Sequence, residues 1–199
     1  MKKRSKPLVW TTKTYNRLSR YYDTFMKIIF PLGQVGREKI VEKLDSGTVL
    51  DVACGTGTLL ALAEKKGLKC TGIDLSAGML AQARSKVPEA EFRQASYYKI
   101  PYHEESFDYV VATNALSGGH IDARKVLEEM LRVCRSGGML YIAEWPKAEQ
   151  ETFAERLLVW FAGWNDDAPK DYWEIFREMG YEPEIDVLSK RFYVYGIRK

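Results

Sequence analysis

Long apolar runs are missing from these 199 residues. No stretch approaches the roughly 18 to 20 residues that cross a bilayer, and the opening MKKRSKPLVW lacks the apolar core of a signal peptide. A cytoplasmic protein is therefore expected. Cysteine is equally sparse: Cys54, Cys70 and Cys134 are an odd number with no CxxC pair, and no histidine stands near them at ligand spacing. That pattern excludes a disulfide framework and a zinc site, so reduced structural thiols and no metal are expected. An excess of one charge is missing too, because 30 basic residues meet 27 acidic ones for a net charge of +3. A nucleic-acid footprint needs basic residues concentrated on one face, so no nucleic-acid partner is expected. The one basic cluster is Lys2, Lys3, Arg4 and Lys6. It reads as a solvated tail or, with the nearby apolar Phe25, Ile28, Ile29, Phe30 and Leu32, as a weak peripheral anchor on an anionic membrane.

What is present is a chain 46% hydrophobic and 29% charged, enough for one globular domain with a sizeable core. From residue 48 onward, short apolar runs alternate with helical patterns, the signature of βαβ units and a parallel sheet. TVLDVA (48–53), KCTGID (69–74), EFRQA (91–95), FDYVVAT (107–113) and GMLYIAEW (138–145) read as five strands. Helices are expected over about 58–66, 77–86, 122–135, 148–163 and 170–179, with Gly137 and Gly138 ending the third and Gly180 capping the last. EIDVLS (184–189) and RFYVYGI (191–197) are joined too tightly for a crossover helix, so they pair as an antiparallel hairpin. The fold class expected is α/β, a Rossmann-like doubly wound sheet, mostly parallel with one antiparallel strand near the C-terminus. Residues 1–47 do not fit the alternation and read as an N-terminal helical segment, a lid on the 48–199 domain.

The chemistry is concentrated in VLDVACGTGTLL (49–60). Asp51 ends the first strand, and Gly55 and Gly57 in the next turn permit positive φ and a close approach of backbone to ligand. The helix that follows aims its free N–H groups into the crevice. A dinucleotide fold would want a third glycine where Leu60 stands, and a P-loop would want a lysine followed by Ser or Thr; neither is met. Asp51 would repel a pyrophosphate and suits a ligand that carries an ammonium group. Asp74, closing the second strand in GIDLS, is placed to accept hydrogen bonds from ribose hydroxyls, or else to cap the next helix.

Taken together, DVACGTG, GIDLSAGML, SFDYVVATNALS and LRVCRSGGMLYIAEW resemble the class I S-adenosylmethionine-dependent methyltransferases over nearly the whole chain. The likeness is greatest to the ubiquinone and menaquinone biosynthesis type and related small-molecule or lipid methyltransferases, and YNRLSRYYD (15–23) is similar to their N-terminal segment over the cofactor. The resemblance implies S-adenosylmethionine as cofactor and S-adenosylhomocysteine as product. It places Asp51 by the methionine ammonium, the backbone of Ala53, Cys54, Gly55 and Gly57 along methionine and ribose, and Asp74 on the ribose. Leu75 and Met79 would border the adenine, although Met79 also reads as a helix residue packed on the sheet. Thr113 and Asn114 would bring the fourth strand to the methionine end, with Tyr15 and Tyr22 closing from above unless they are plain core aromatics. The family's Asp after the third strand is missing: Gln94, Ala95 and Ser96 stand there, leaving Ser96 or backbone to meet the adenine. The proline usual before the paired glycines is Ser136 here, which touches the turn and not the chemistry.

The acceptor is less legible, since in-line methyl transfer gains most of its rate from alignment in a dry site and needs no general base. The catalytic candidates are His120, in the loop after the fourth strand and in the right titration range to take a proton, and Tyr22. His103 reads as solvated. Asn114-Ala115-Leu116-Ser117 lacks the paired prolines of nucleic-acid amino-methyltransferases. Phe153, Leu157, Trp160, Phe161 and Trp164 share one helical face, as core or as an apolar acceptor wall. A methyltransferase with a small, apolar or lipid-like acceptor is expected. The alternatives are an NAD-dependent oxidoreductase or a catalytically inactive cofactor-binding domain.

Overall fold

A computed structural model describes residues 12–29, 31–116, 121–144, 172–189 and 192–199. In chain order the elements are α1 (Thr12–Ile29), α2 (Pro31–Lys43), β1 (Thr48–Val52), α3 (Thr58–Lys65), β2 (Lys69–Asp74), α4 (Ala77–Lys86), β3 (Glu91–Gln94), β4 (Phe107–Thr113), α5 (Ala123–Val133), β5 (Cys134–Glu144), α6 (Tyr172–Glu178), β6 (Glu184–Ser189) and β7 (Phe192–Arg198). One seven-stranded sheet runs in the order β3-β2-β1-β4-β5-β7-β6. β1 through β5 pair in parallel, and β7 is antiparallel to both β5 and β6. One strand near the C-terminus is thus reversed, as the two tightly joined β-rich runs require. The order reverses between β1 and β4, and in such sheets the ligand crevice opens at the carboxyl ends of those strands.

The strand pattern decides which helix covers which face. Alternate residues of a strand point to opposite faces: Leu50 and Val52 of β1 join Val110 and Ala112 of β4 in a cluster with Val126, Leu127 and Met130 of α5 and Phe176 of α6. Val49 and Val111 face the other way, to Ile40 and Leu44 beside α2, Leu59 and Leu60 of α3, and Leu80 of α4. Asp51 shares parity with Val49, so it lies on the α2/α3 side of the sheet. The apolar stripe of α5 is fully buried, and its N-cap Asp122 accepts from the Lys125 N–H at 3.3 Å, the usual way an orphan amide of the first turn is satisfied.

One boundary, where the third expected helix passes into the fifth strand, needs correction. The crossover helix stops at Val133, before the paired glycines, and β5 begins at Cys134 and runs through Gly137 and Gly138. The cause is pairing: Cys134 lies opposite Phe107, and a register shift between Phe107 and Tyr109 absorbs the glycine turn within the strand, where Gly137 takes φ 77°. The helix expected over about 148–163, with its row of aromatics, lies outside the described residues.

α2 belongs to the core, carrying Ile40 and Val41 at 0% and 6% exposure, and Gly36 leaves no room for a Cβ against Phe192 and Ala143. α1 differs. Ser19 is its one buried residue among those described.

Candidate active site

Asp51 is a buried acid at the carboxyl end of β1. It is 1% exposed and its Oδ1 has no hydrogen-bond partner. Burial pushes its carboxyl up to about 8, the positive Arg37 of α2 opposing and the neighbouring Asp74 adding to the rise. Asp51 lies within electrostatic reach of the Arg37 guanidinium, so a zwitterion could set its cation against the carboxyl, which then ionises, and its anion toward the guanidinium.

After β1 the chain turns sharply. Ala53 (φ 59°), Gly55 (φ 53°) and Gly57 (φ 75°) all adopt left-handed backbone, a conformation that is cheap for glycine and costly for alanine. The turn is fixed across the sheet: Cys54 N–H donates to Ile73 O at 2.9 Å, and Gly55 N–H donates to Asp74 Oδ2 at 2.9 Å. α3 starts at Gly57 without a side-chain cap, so its first amides remain directed into the crevice. A Cβ on Gly55 would meet nothing within 4 Å, so the positive φ, not crowding, requires glycine there. At Gly57 a Cβ would press on Ala83 at 3.1 Å.

Asp74, at the end of β2, holds the turn and the next helix together. Its Oδ1 accepts from Ser76 N–H at 2.7 Å, while Ser76 caps α4 by accepting from Met79 N–H at 3.1 Å. Burial raises the Asp74 carboxyl, against the backbone hydrogen bonds from Ser76, Gly55 and Leu75. Leu75 is 44% exposed at the rim, with its carbonyl accepting from Gln94 Nε2 at 2.9 Å. Met79 is buried. Ala95 N–H donates to Asp74 O at 3.1 Å, and Ser96 Oγ accepts from Tyr98 N–H at 3.2 Å, so that hydroxyl is already engaged locally.

On the other side of the switch point, Thr113 is buried and Asn114 sits at φ 52°. Both amide atoms of Asn114 are buried without a hydrogen-bond partner. The turn is braced by Glu144, fully buried at the end of β5, whose Oε1 accepts from Leu116 N–H at 2.6 Å and from Ala115 N–H. Of the catalytic candidates, His120 lies outside the described residues. Tyr22 faces inward from α1, its ring edge-on to Tyr15 with centroids 6.0 Å apart. Burial raises the Tyr22 phenol, with Arg37 lowering it and Asp74, Asp23 and Glu144 raising it further. It is therefore a protonated donor near neutral pH, poorly suited to taking a proton.

The structure also brings in residues that the sequence reading passed over. Asn16 Oδ1 accepts from Ser76 Oγ at 2.7 Å and from Gly78 N–H at 2.8 Å, clipping α1 to the start of α4. Two turns further on along the same face, Asp23 accepts from Thr56 Oγ1 at 2.5 Å and pairs with Lys86 at 2.6 Å. Arg37 and Glu144 complete the set. The signal for Asn16 and Asp23 was available: two polar residues seven apart lie on one helix face, opposite the apolar one.

Comparison with known proteins decides the family. A family profile described as a methyltransferase domain matches residues 49–138, and phosphatidylethanolamine N-methyltransferase of Cereibacter sphaeroides is 34% identical over 166 residues, 75% of this chain and 81% of that protein. The chain belongs to the class I S-adenosylmethionine-dependent methyltransferases. Ubiquinone/menaquinone biosynthesis C-methyltransferase UbiE of Campylobacter jejuni is 29% identical over 153 residues, 70% of this chain and 65% of that protein, so this methyltransferase spans slightly less than two thirds of that relative's length. The fold agrees with the solved DhpI–SAH complex, at TM-score 0.73 and 21% identity over 94% of each chain. The family's cofactor fits the residues present. The unpartnered Asp51 oxygen, the charge of Arg37, the uncapped α3 amides and the orphaned Asn114 amide all converge on one crevice, and Leu60, where a dinucleotide site would want glycine, is 0% exposed in the core.

Proposed function

We propose that this chain transfers the methyl group of S-adenosylmethionine to a small, apolar or lipid-like acceptor. The observation that carries the reading is the buried, half-unpartnered Asp51 beside Arg37, a bipolar site for the ammonium and carboxylate of an amino acid. Asp51 would take the ammonium and Arg37 the carboxylate. The backbone of Ala53, Cys54, Gly55 and Gly57 would lie along the methionine and ribose, with Asp74 accepting from the ribose hydroxyls. Leu75, Met79, Ala95 and Ser96 would border the adenine, and Thr113 and Asn114 the methionine end, with Tyr15 above. When bound, the sulfonium supplies an electrophilic methyl that an acceptor displaces in line. The residues here would orient and dry that reaction. Tyr22 would donate a hydrogen bond to the acceptor without acting as base, and His120 remains the candidate to receive a proton.

Support for an apolar acceptor comes from the relatives, one named for a phospholipid and one for quinones. No described helix is long and apolar enough to cross a membrane, and we propose a cytoplasmic enzyme that meets such acceptors at a membrane surface. Among the described residues no group of three His, Cys, Asp or Glu is placed to hold a metal. We further propose that α1 alone is the lid, since α2 is core. The test is thermal: adenosylhomocysteine should raise Tm, as mass action requires of a ligand that binds only the folded state, while NADH should not. A shift with NADH alone overturns the reading.

A further inference from the structure

The outer face of α1 carries four of the ten exposed large apolar residues among those described. Leu18, Tyr21, Phe25 and Ile28 are 36%, 67%, 40% and 74% exposed, forming an apolar ridge on a helix whose inner face is held by polar contacts. At about 100° per residue these four fall within a sector about 80° wide. Lys13, Arg17, Arg20 and Lys27, all exposed, occupy the neighbouring sector of similar width. None of the four meets an acidic partner among the described residues, and the helix's only acidic residue, Asp23, is turned inward to Thr56 and Lys86. An exposed apolar strip bordered by an uncompensated basic strip is the pattern of a helix lying in a lipid interface.

We propose that α1 docks this protein on the surface of a bilayer containing anionic lipid, with Leu18, Tyr21, Phe25 and Ile28 entering the headgroup boundary and Lys13, Arg17, Arg20 and Lys27 meeting the negative headgroups. Charge complementarity selects this occupant: a second copy of the chain would bring the same basic strip against itself, whereas an anionic bilayer answers both strips at once. The position gives the contact a use. Tyr15 and Tyr22 stand on the sector next to the ridge, and Asn16 and Asp23 on the one beyond, fastening the helix to the glycine turn and α4. The same helix therefore touches the bilayer on one side and the site on the other, so an apolar acceptor would pass from lipid to site along its edge without crossing water. This use rests on the lipid-like acceptor proposed above; the docking itself is a separate physical claim.

The test is flotation of the full chain with phosphatidylcholine vesicles, with and without phosphatidylglycerol, beside adenosylhomocysteine titration calorimetry on the same samples. Binding is expected with phosphatidylglycerol and to weaken as salt rises toward about 1 M, where screening reaches about 3 Å. The pair Arg17→Glu with Arg20→Glu should weaken partition at least about tenfold, since each basic residue near such a surface contributes several-fold. Tyr21→Ser with Ile28→Ser should weaken it similarly, with Tm and adenosylhomocysteine affinity kept in both. Because substitutions on α1 leave Lys2, Lys3, Arg4 and Lys6 intact, they separate this helix from the basic tail. Wild-type protein that fails to float, or variants that float as well as wild type, overturn the proposal. So does a dimer that Ile28→Ser dissociates, which would give the face to a second copy. Loss of adenosylhomocysteine binding in the wild type would instead overturn the methyltransferase reading and leave the docking result standing.

Discussion

If Asp51 receives the ammonium of the cofactor, binding must be linked to its proton. In the free protein burial pushes this carboxyl up to about 8, so near pH 6 it is almost wholly protonated. An ammonium against Oδ1 favours the charged form, which pulls the bound-state value down. Binding below pH 8 therefore expels about one proton, and affinity rises with pH at up to about tenfold per pH unit, since one unit corresponds to about 1.36 kcal/mol. Between pH 6 and pH 8 the expected gain is about fiftyfold, because the carboxyl is already half ionised at pH 8, reduced by whatever share the raised carboxyl of Asp74 takes. The sign for stability is opposite. A carboxyl raised on folding stabilises the folded state at low pH and loses that contribution as pH rises from the unfolded value through the folded one. The free protein should thus lose stability toward pH 8 while the ligand-induced Tm shift grows. Titration calorimetry with adenosylhomocysteine in buffers of different ionisation enthalpy measures the proton count directly. Asp51→Asn should bind more weakly at pH 8 and with a flatter pH profile. Affinity that is level from pH 6 to 8, without proton release, refutes the assignment.

Two further substitutions probe the flanks of the site. Asp74→Ala should weaken adenosylhomocysteine by roughly 1–3 kcal/mol, the usual effect of removing a charged hydrogen-bond partner; unchanged affinity in a folded variant would take Asp74 off the ribose. Glu144→Ala strips the Ala115 and Leu116 amides of a shared acceptor, at roughly 1–3 kcal/mol per buried group. Its Tm should fall by several degrees, and an unaltered Tm would show that Glu144 does not brace the Asn114 turn.

The parts of this site that could be read in the sequence are those built from local pattern. Gly55 and Gly57 announce a turn with positive φ, and alternation along TVLDVA and FDYVVAT announces two buried strands, so the β1–β4 switch point followed almost directly. The end of the crossover helix did not, because the pairing of Cys134 with Phe107 is a tertiary fact that outweighs a glycine pair as a stop signal. Arg37 was equally hidden. Nothing in its neighbourhood on α2 distinguishes it from a solvated arginine until Gly36 lets the helix approach β7 and β5 closely enough to face Asp51. Glu144 reads locally as the polar end of an apolar strand, and only the return of the β4 loop over it gives the carboxylate two amides to hold. Residues whose role depends on one chain contact are legible early, whereas those that depend on the register of two or three elements wait for the fold.

The cover proposed for α1 makes its own prediction, because the helix is fastened by polar clips while its apolar residues stay mostly outside the core. Asn16 accepts from Ser76 and Gly78, and Asp23 from Thr56 and Lys86, so Asn16→Ala with Asp23→Ala removes both clips and leaves the two apolar clusters untouched. The neutral Asn16 clip contributes roughly 0.5–1.5 kcal/mol, and the bond from Thr56 to the charged Asp23 carboxylate, weakened by solvent at a side chain 39% exposed, contributes about as much. The Asp23–Lys86 pair, with side chains 39% and 30% exposed, adds little after solvent screening. Losing both should shift the docking of α1 about tenfold or somewhat more toward the undocked helix while Tm of the sheet moves only a few degrees. Limited proteolysis should then cut within α1 well before the remainder, and adenosylhomocysteine should slow that cut. The docking should also weaken in acid. Burial pushes the Asp23 carboxyl up, but hydrogen bonds from Lys86 and Thr56, with the charges of Lys86 and Arg37, hold it below the usual range. A depressed carboxyl stabilises above its unfolded value and loses that contribution as pH falls through the folded one, so cleavage of α1 in the wild type should quicken below about pH 4. If the double variant instead unfolds cooperatively with a large fall in Tm, α1 is part of the core and not a lid. If cleavage is unchanged, these clips do not hold it.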